Sequence, residues 1–291
     1  MFKKFILLFL LLVASSSQAN VRIFACEPEW AELARMLGGE QIYTATTNQQ
    51  DPHHIQARPS LIAKARRADL LICTGAELEI GWLPLLLRKS GNSRIQVGQL
   101  GYFMATDHVT LLDKPTQLDR SQGDVHSSGN PHIHLDPERM LQVAKSLTET
   151  LIKIDPANQS TYQTKLESFS QAWQAMMNKW DKQIFTGKSM VVYHNSWLYL
   201  QQWLGLKKTA TLEPKPGIPP TSSHLSRLLA TLQQSPAQMI IYANYQDGKA
   251  ANWLAQKTDI PVVALDFSPA TEENLIHWFE RTVNQIATVL K

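Results

Sequence analysis

The stretch DPANQSTYQTKLESFSQAWQAMMNKWDKQIFTG, Asp155 to Gly187, decides how the chain is read. Tyr162, Leu166, Phe169, Trp173, Met176, Trp180 and Ile184 follow one another at spacings of three and four, the apolar stripe of one long amphipathic helix. Asp155 before Pro156 supplies an N-cap and a first-turn proline, and Gly187 supplies a stop. Strand-and-helix patterns lie on both sides of it, so it reads as a spine joining two lobes. The plainer alternative is a long helix packed within a single domain.

Upstream of the spine, Val21 to Ala25, Gln41 to Thr46, Leu70 to Cys73 and Arg94 to Val97 read as strands. Between them lie helical patterns at Trp30 to Leu37, Pro59 to Arg67 and Ile80 to Lys89. Downstream, Ser189 to Tyr193, Thr209 to Leu212, Met239 to Tyr242 and Val262 to Leu265 repeat the alternation, and Glu272 to Leu290 closes the chain as a helix. Strands alternating with helices imply parallel sheets. The expected fold class is therefore α/β: two lobes, each a parallel-type sheet flanked by helices, joined by one long rigid helix. The expected divisions are a signal peptide at 1–19, an N-terminal lobe at 20–154, a linking helix at 155–187 and a C-terminal lobe at 188–291. Gly101 to Pro131 shows no usable period, and a loop of that length is usually functional or disordered.

Lys3 and Lys4 form a basic start, Phe5 to Val13 an unbroken apolar run, and Ser17-Gln18-Ala19 a small-x-small cleavage site. This is a secretory signal peptide, too short and wrongly flanked for a membrane span. The first cysteine, Cys26, lies beyond the cleavage site, so a lipid anchor is not expected. The formal charge of +3 falls towards neutrality once the two lysines are removed, which argues against nucleic acid or an anionic membrane surface as partner. The mature protein should be soluble, exported to the periplasm, not membrane-anchored and monomeric.

Three histidines stand where backbone is exposed beside a strand end or helix entry: His53, His132 and His194. Asp266 stands at the end of the last strand. Neutral imidazoles with one carboxylate make a coordination set suited to Zn²⁺. These positions are scattered rather than packed into a short motif, so from spacing alone surface roles stay open for each. His54 and His134 adjoin proposed ligands and are alternates for them. His108 and His126 are loop histidines, read either as solvated or as a loose means of capturing metal. His224 and His277 read as surface residues on helices.

Asp51-Pro52-His53, Asn130-Pro131-His132-Ile133-His134-Leu135-Asp136-Pro137, Tyr193-His194 before an aromatic helix, and Ala264-Leu265-Asp266 occur in a fixed order around the long helix. In this the chain resembles the zinc/manganese-specific substrate-binding proteins of metal ABC importers, the ZnuA-like group of cluster A-I type, over essentially its whole mature length. The resemblance implies two lobes linked by a rigid helix with one metal held between them. It implies His53, His132 and His194 as ligands and Asp266 as the fourth or a close neighbour. The chain departs from the group in carrying Asn130 before Pro131, where aspartate is more usual. It also has His54-Ile55-Gln56 where an aromatic usually follows the first ligand, and its loop is sparsely furnished with histidine. His194 stands where manganese members tend to use a carboxylate, which tilts the cargo towards Zn²⁺ over Mn²⁺.

Cys26 and Cys73 each follow an expected strand, and in an oxidising compartment two cysteines so placed can form a disulfide. The reading that follows is a non-enzymatic periplasmic binding protein that delivers a divalent ion to an inner-membrane ABC permease. Imidazole ligands must be neutral to bind, so affinity is expected to fall below about pH 6. The rival reading is an exported metal-dependent hydrolase, disfavoured because the chain has no His-Glu-x-x-His helix.

Overall fold

The computed structural model describes residues 20–116 and 123–291, so the expected signal peptide and part of the long loop lie outside the described residues. β1 (Arg22–Ala25), β2 (Gln41–Thr44), β3 (Leu70–Cys73) and β4 (Tyr102–Met104) form a parallel sheet in the order β2-β1-β3-β4. β5 (Ser189–Val192), β6 (Lys207–Thr211), β7 (Met239–Ala243) and β8 (Val262–Leu265) form a second parallel sheet in the order β6-β5-β7-β8. The two halves thus share one topology.

Alternation along each strand explains the layers. In the first sheet Ile23, Ala25, Leu70 and Ile72 face a large central core, while Phe24, Leu71 and Cys73 face a smaller outer one. In the second, Met190, Val192, Met239 and Ile241 face the same central core, and Val191 and Ile240 an outer one. Helices α2 (Pro59–Ala65) and α3 (Leu83–Ser90) cover the outer face of the first sheet. Helices α7 (Ser222–Gln234) and α8 (Lys249–Thr258) cover that of the second. Between the sheets lie α1 (Pro28–Met36), α4 (Pro137–Ile154), α5 (Gln159–Asn178), α6 (Leu198–Leu204) and α9 (Leu275–Leu290).

The spine is shorter than its apolar stripe. Asp155 ends α4 rather than opening the next helix, and its carboxylate accepts hydrogen bonds from Asn158 Nδ2 at 2.7 Å and the Tyr162 hydroxyl at 2.9 Å. A single helical turn at Pro156–Asn158 then leads into α5. Tyr162, Phe169, Trp173 and Met176 are buried as the stripe requires, but Trp180 and Ile184 lie beyond the end of α5. Asp181 stops the continuation by accepting from Gln183 N at 2.9 Å and starting a separate turn. α5 runs back along α4, with Trp173 Nε1 donating to the Pro137 carbonyl at 2.8 Å, and touches both α1 and α9.

A second difference concerns the fourth strand. Arg94 to Val97 is not a strand; Ser93–Ile95 is a helical turn capped by Asn92, whose side chain accepts from Arg94 N. Only Ile95 is buried there, and Val97 is 72% exposed. The strand is instead Tyr102–Met104, inside the stretch that showed no period. Three residues are too few for a period of two to register in the sequence.

Candidate metal centre

The loops leaving the carboxyl ends of the strands of both sheets meet between the halves, as expected for open parallel sheets. His53 comes from the loop after β2. Asp51 Oδ1 accepts from His53 N at 3.0 Å and from its ring Nδ1 at 2.8 Å, and Trp82 Nε1 pins the loop by donating to the Pro52 carbonyl at 3.0 Å. A carboxylate can only accept, so Nδ1 carries the proton and Nε2 presents its lone pair. Although burial works against it, the hydrogen bonds from the His53 ring and backbone hold the Asp51 carboxyl below its usual range.

His194 follows β5 and caps the turn that opens α6. Its Nδ1 donates to Glu213 Oε2 at 2.6 Å, beyond β6, and that carboxylate also accepts from Gly217 N at 3.1 Å. Here too Nε2 is left free. His132 lies in the approach to α4, where Asn130 Oδ1 accepts from His132 N at 3.1 Å. Asn130 Nδ2 reaches the Asn195 carbonyl at 2.8 Å, and the Tyr199 hydroxyl donates to the Asn130 carbonyl at 2.7 Å. The asparagine that departs from the family pattern therefore ties the His132 loop to the segment carrying His194.

The His132 ring is 1% exposed, and neither of its nitrogens has a hydrogen-bond partner. Burial, reinforced by the surrounding imidazoles, holds its pKa well below the ordinary value. Ring centroids are 5.7 Å apart for His53 and His132, 5.9 Å for His53 and His194, and 5.7 Å for His132 and His194. One nitrogen from each lies within 4.8 Å of the other two, so the three make a nearly equilateral cradle of imidazole nitrogens. A buried imidazole with both nitrogens unsatisfied is costly unless a ligand completes it, and a divalent cation is the ligand this donor set fits.

Asp266 follows β8, but its carboxylate accepts from Asn244 Nδ2 at 2.6 Å and is ion-paired with Arg281, and it is not among the donors that cluster within 4.8 Å. His134 points away from the cradle. Its Nε2 donates to the Phe267 carbonyl at 3.1 Å, and its Nδ1 lies 3.5 Å from Glu29 Oε1. His54 is exposed, with its ring 6.2 Å from that of His53. His108 stacks on Phe103 at 4.3 Å, His224 is hydrogen-bonded to the Thr211 carbonyl at 2.9 Å, and His277 is exposed. His126 does reach the cradle, its Nε2 lying 3.3 Å from His53 Nε2.

The orienting role of Glu213 was not visible in the sequence, since it rests on β6 lying beside β5. At the ends of β1 and β3, Glu27 and Glu79 are buried near Thr74, whose backbone N is 2.7 Å from Glu79 Oε1 and whose hydroxyl is 3.1 Å from Glu27 Oε2. Burial raises the Glu79 carboxyl to about 7 and, with the negative charge of Glu79, pushes Glu27 well above its usual range. Cys26 and Cys73 are joined as a disulfide, with Cα atoms 4.8 Å apart, linking the ends of β1 and β3. Among the described residues no helix is long and apolar enough to cross a membrane.

A family model described as zinc-uptake complex component A, periplasmic, matches residues 23–289. The manganese ABC transporter substrate-binding lipoprotein PsaA of Streptococcus pneumoniae is 23% identical over 265 residues, covering 88% of this chain and 82% of that protein. The metal ABC transporter substrate-binding lipoprotein SsaB of Streptococcus sanguinis is 21% identical over 265 residues, with the same coverage of 88% and 82%. Among solved structures, a crystal structure of ZnuA matches with a TM-score of 0.77 at 19% identity, over 94% of this chain and 100% of that chain. FpvC from Pseudomonas aeruginosa in complex with Mn²⁺ matches with a TM-score of 0.73 at 15% identity, over 93% and 98%.

Proposed function

This chain belongs to the family of zinc-uptake complex component A, whose members are metal-binding substrate-binding proteins of ABC transporters, and from that premise we propose that its cargo is Zn²⁺, delivered in the periplasm to an inner-membrane ABC permease. The observation that carries the proposal is the cradle of His53, His132 and His194, with two of its tautomers fixed by carboxylates and the third ring stripped of all partners. Relatives are named for manganese as well as zinc, so the choice rests on the donors. Imidazole nitrogen suits Zn²⁺, whereas Mn²⁺ is better served by carboxylate, carbonyl and water oxygens.

On this reading the ion sits between the N-terminal lobe (20–154) and the C-terminal lobe (188–291), and Asp266 is a neighbouring carboxylate held by Arg281 and Asn244. Carboxylate–imidazole pairs at Asp51–His53 and Glu213–His194 raise ligand basicity and hold the rings in place. Export without lipid attachment accords with both cysteines being engaged in the disulfide. The relatives act in transport, which leaves the exported-hydrolase alternative without support.

Metal analysis of the purified mature protein, with competition titrations of Zn²⁺ and Mn²⁺, tests the proposal. One tightly held Zn²⁺ is expected, with the affinity of His132→Ala reduced at least roughly 100-fold, beyond the usual effect of losing an outer-shell partner. Tighter binding of Mn²⁺ than of Zn²⁺, or unchanged affinity in His132→Ala, would overturn it.

A further inference from the structure

His126 is a loop histidine whose ring stands against that of His53. Its Nδ1 lies 3.0 Å from the Ala76 carbonyl oxygen, which can only accept, so Nδ1 carries the ring proton and Nε2 carries a lone pair. The same logic at Asp51 leaves a lone pair on His53 Nε2. These two nitrogens face each other at 3.3 Å with no proton available to bond them while both rings are neutral. Two nitrogens bound to one tetrahedral Zn²⁺, each at about 2.0–2.1 Å, are separated by about 3.3–3.4 Å. The observed spacing is that of two ligands of one ion. The His126 ring also lies 6.3 Å from that of His132, and its Nε2, outside the 4.8 Å cluster of the other three donors, needs only a shift of its loop to join them.

The backbone holds this ring in position from both halves of the molecule. Gly75, Ala76 and Glu77 are three successive residues with positive φ, at 87°, 47° and 64°. Such a conformation at alanine and glutamate is costly and persists only where surrounding contacts fix it. Here it aims the Ala76 carbonyl at His126 and the Glu77 carboxylate at the next two residues, accepting from the hydroxyls of Ser127 and Ser128. On the opposite side Asp124 N donates to the Pro216 carbonyl at 3.0 Å. Gly123 approaches that carbonyl so closely that a Cβ would stand 2.0 Å from it.

We propose that His126 is the fourth metal ligand, closing an all-imidazole tetrahedral site with His53, His132 and His194 in place of a carboxylate, and that the Ala76–Glu77 segment positions it. This rests on the reading of the chain as a metal-binding protein. Four nitrogens make the site more selective for Zn²⁺ over Mn²⁺ than three nitrogens and a carboxylate. The ligand is also carried by a loop fastened through a few hydrogen bonds, so it is the donor most easily withdrawn.

The experiment compares His126→Ala, His126→Asp, Asp266→Asn and His132→Ala in the mature chain, by Zn²⁺ and Mn²⁺ competition titration and by zinc X-ray absorption. Loss of His126 is expected to lower Zn²⁺ affinity roughly 10–100-fold, on the scale of a lost supporting ligand contact, and to reduce the imidazole scattering from four rings to three. His126→Asp should narrow the preference for Zn²⁺ over Mn²⁺, and Asp266→Asn should leave the spectrum unchanged. Wild-type zinc affinity and spectrum in His126→Ala, with a loss in Asp266→Asn, would overturn the assignment of His126 alone. No loss in His132→Ala would instead sink the metal-site reading beneath it.

Discussion

The two carboxylates that hold the cradle do different work from the imidazoles they touch. Glu213 fixes the His194 tautomer across 2.6 Å and keeps Nε2 free. Glu213→Ala is expected to lower Zn²⁺ affinity roughly 10–100-fold without removing a ligand, and a titration showing wild-type affinity would dismiss the orienting role. His132 has no such partner, and burial followed by the charges of neighbouring imidazoles lowers its pKa well below 6.5. A lowered histidine pKa favours the neutral form, so His132 should remain uncharged in metal-free protein at pH 6, where an ordinary histidine is mostly protonated. Nitrogen-detected NMR of the imidazoles checks this, and a charged His132 at pH 6 would refute it. Protonation of this imidazole therefore begins further into the acid range than an ordinary histidine implies. That His53, His132 and His194 stand together was legible in the sequence because each adjoins a proline or a strand end. His126 was not separable from a solvated loop histidine, because its place beside His53 depends on the left-handed Ala76–Glu77 segment, which leaves no compositional trace.

At the scale of elements, β1 and β3 are tied at their carboxyl ends by the disulfide and by Thr74, whose hydroxyl donates to Glu27 and whose backbone N donates to Glu79. The bridge closes a separation of 47 residues, so reduction should cost about 2–4 kcal/mol of stability on chain-entropy grounds. Denaturant unfolding with and without reductant measures it, and coincident curves would contradict it. Burial raises the Glu79 carboxyl from 4.5 to about 7. A carboxyl raised in the folded state binds its proton more tightly there than in the unfolded chain. Its contribution is then fully present below about pH 4.5 and is lost as pH rises through about 7. Stability should fall by on the order of 1–3 kcal/mol between pH 5 and 8, and Glu79→Gln should flatten that fall. An unaltered pH profile in the variant would show that Glu79 is not responsible. The buried strands were readable from their apolar runs and the helices from their stripes. β4 and the ends of α5 were not, since a three-residue strand carries no period and the apolar stripe of 155–187 continues past the point where Asp181 breaks the helix.

The whole molecule is organised by a core that belongs to neither sheet alone. Ile23 and Ile72 from the first sheet and Met190 and Ile241 from the second share one apolar cluster, with Trp173, Trp278 and Phe279 among them. The halves are also joined by polar contacts, from Tyr199 to the Asn130 carbonyl at 2.7 Å and from His134 to the Phe267 carbonyl at 3.1 Å. A wide hinge opening would expose part of this cluster. Uncovering even about 400 Å² of apolar surface costs about 10 kcal/mol, comparable to the entire stability of a typical domain. Metal binding is therefore expected to proceed without large movement of one half against the other, and the change on loading should be confined to the loops that carry the imidazoles. Gly123 to Ser128 is the segment best placed to move, because it touches the halves through Pro216 and Glu77 rather than through the core. Solution scattering of the metal-free and zinc-loaded protein should then give the same radius of gyration within error, while hydrogen exchange slows at Asp124 to Ser128 on loading. A compaction of several ångströms on adding zinc would mean that the shared core parts in the free protein, and the rigid frame deduced from it would have to be abandoned.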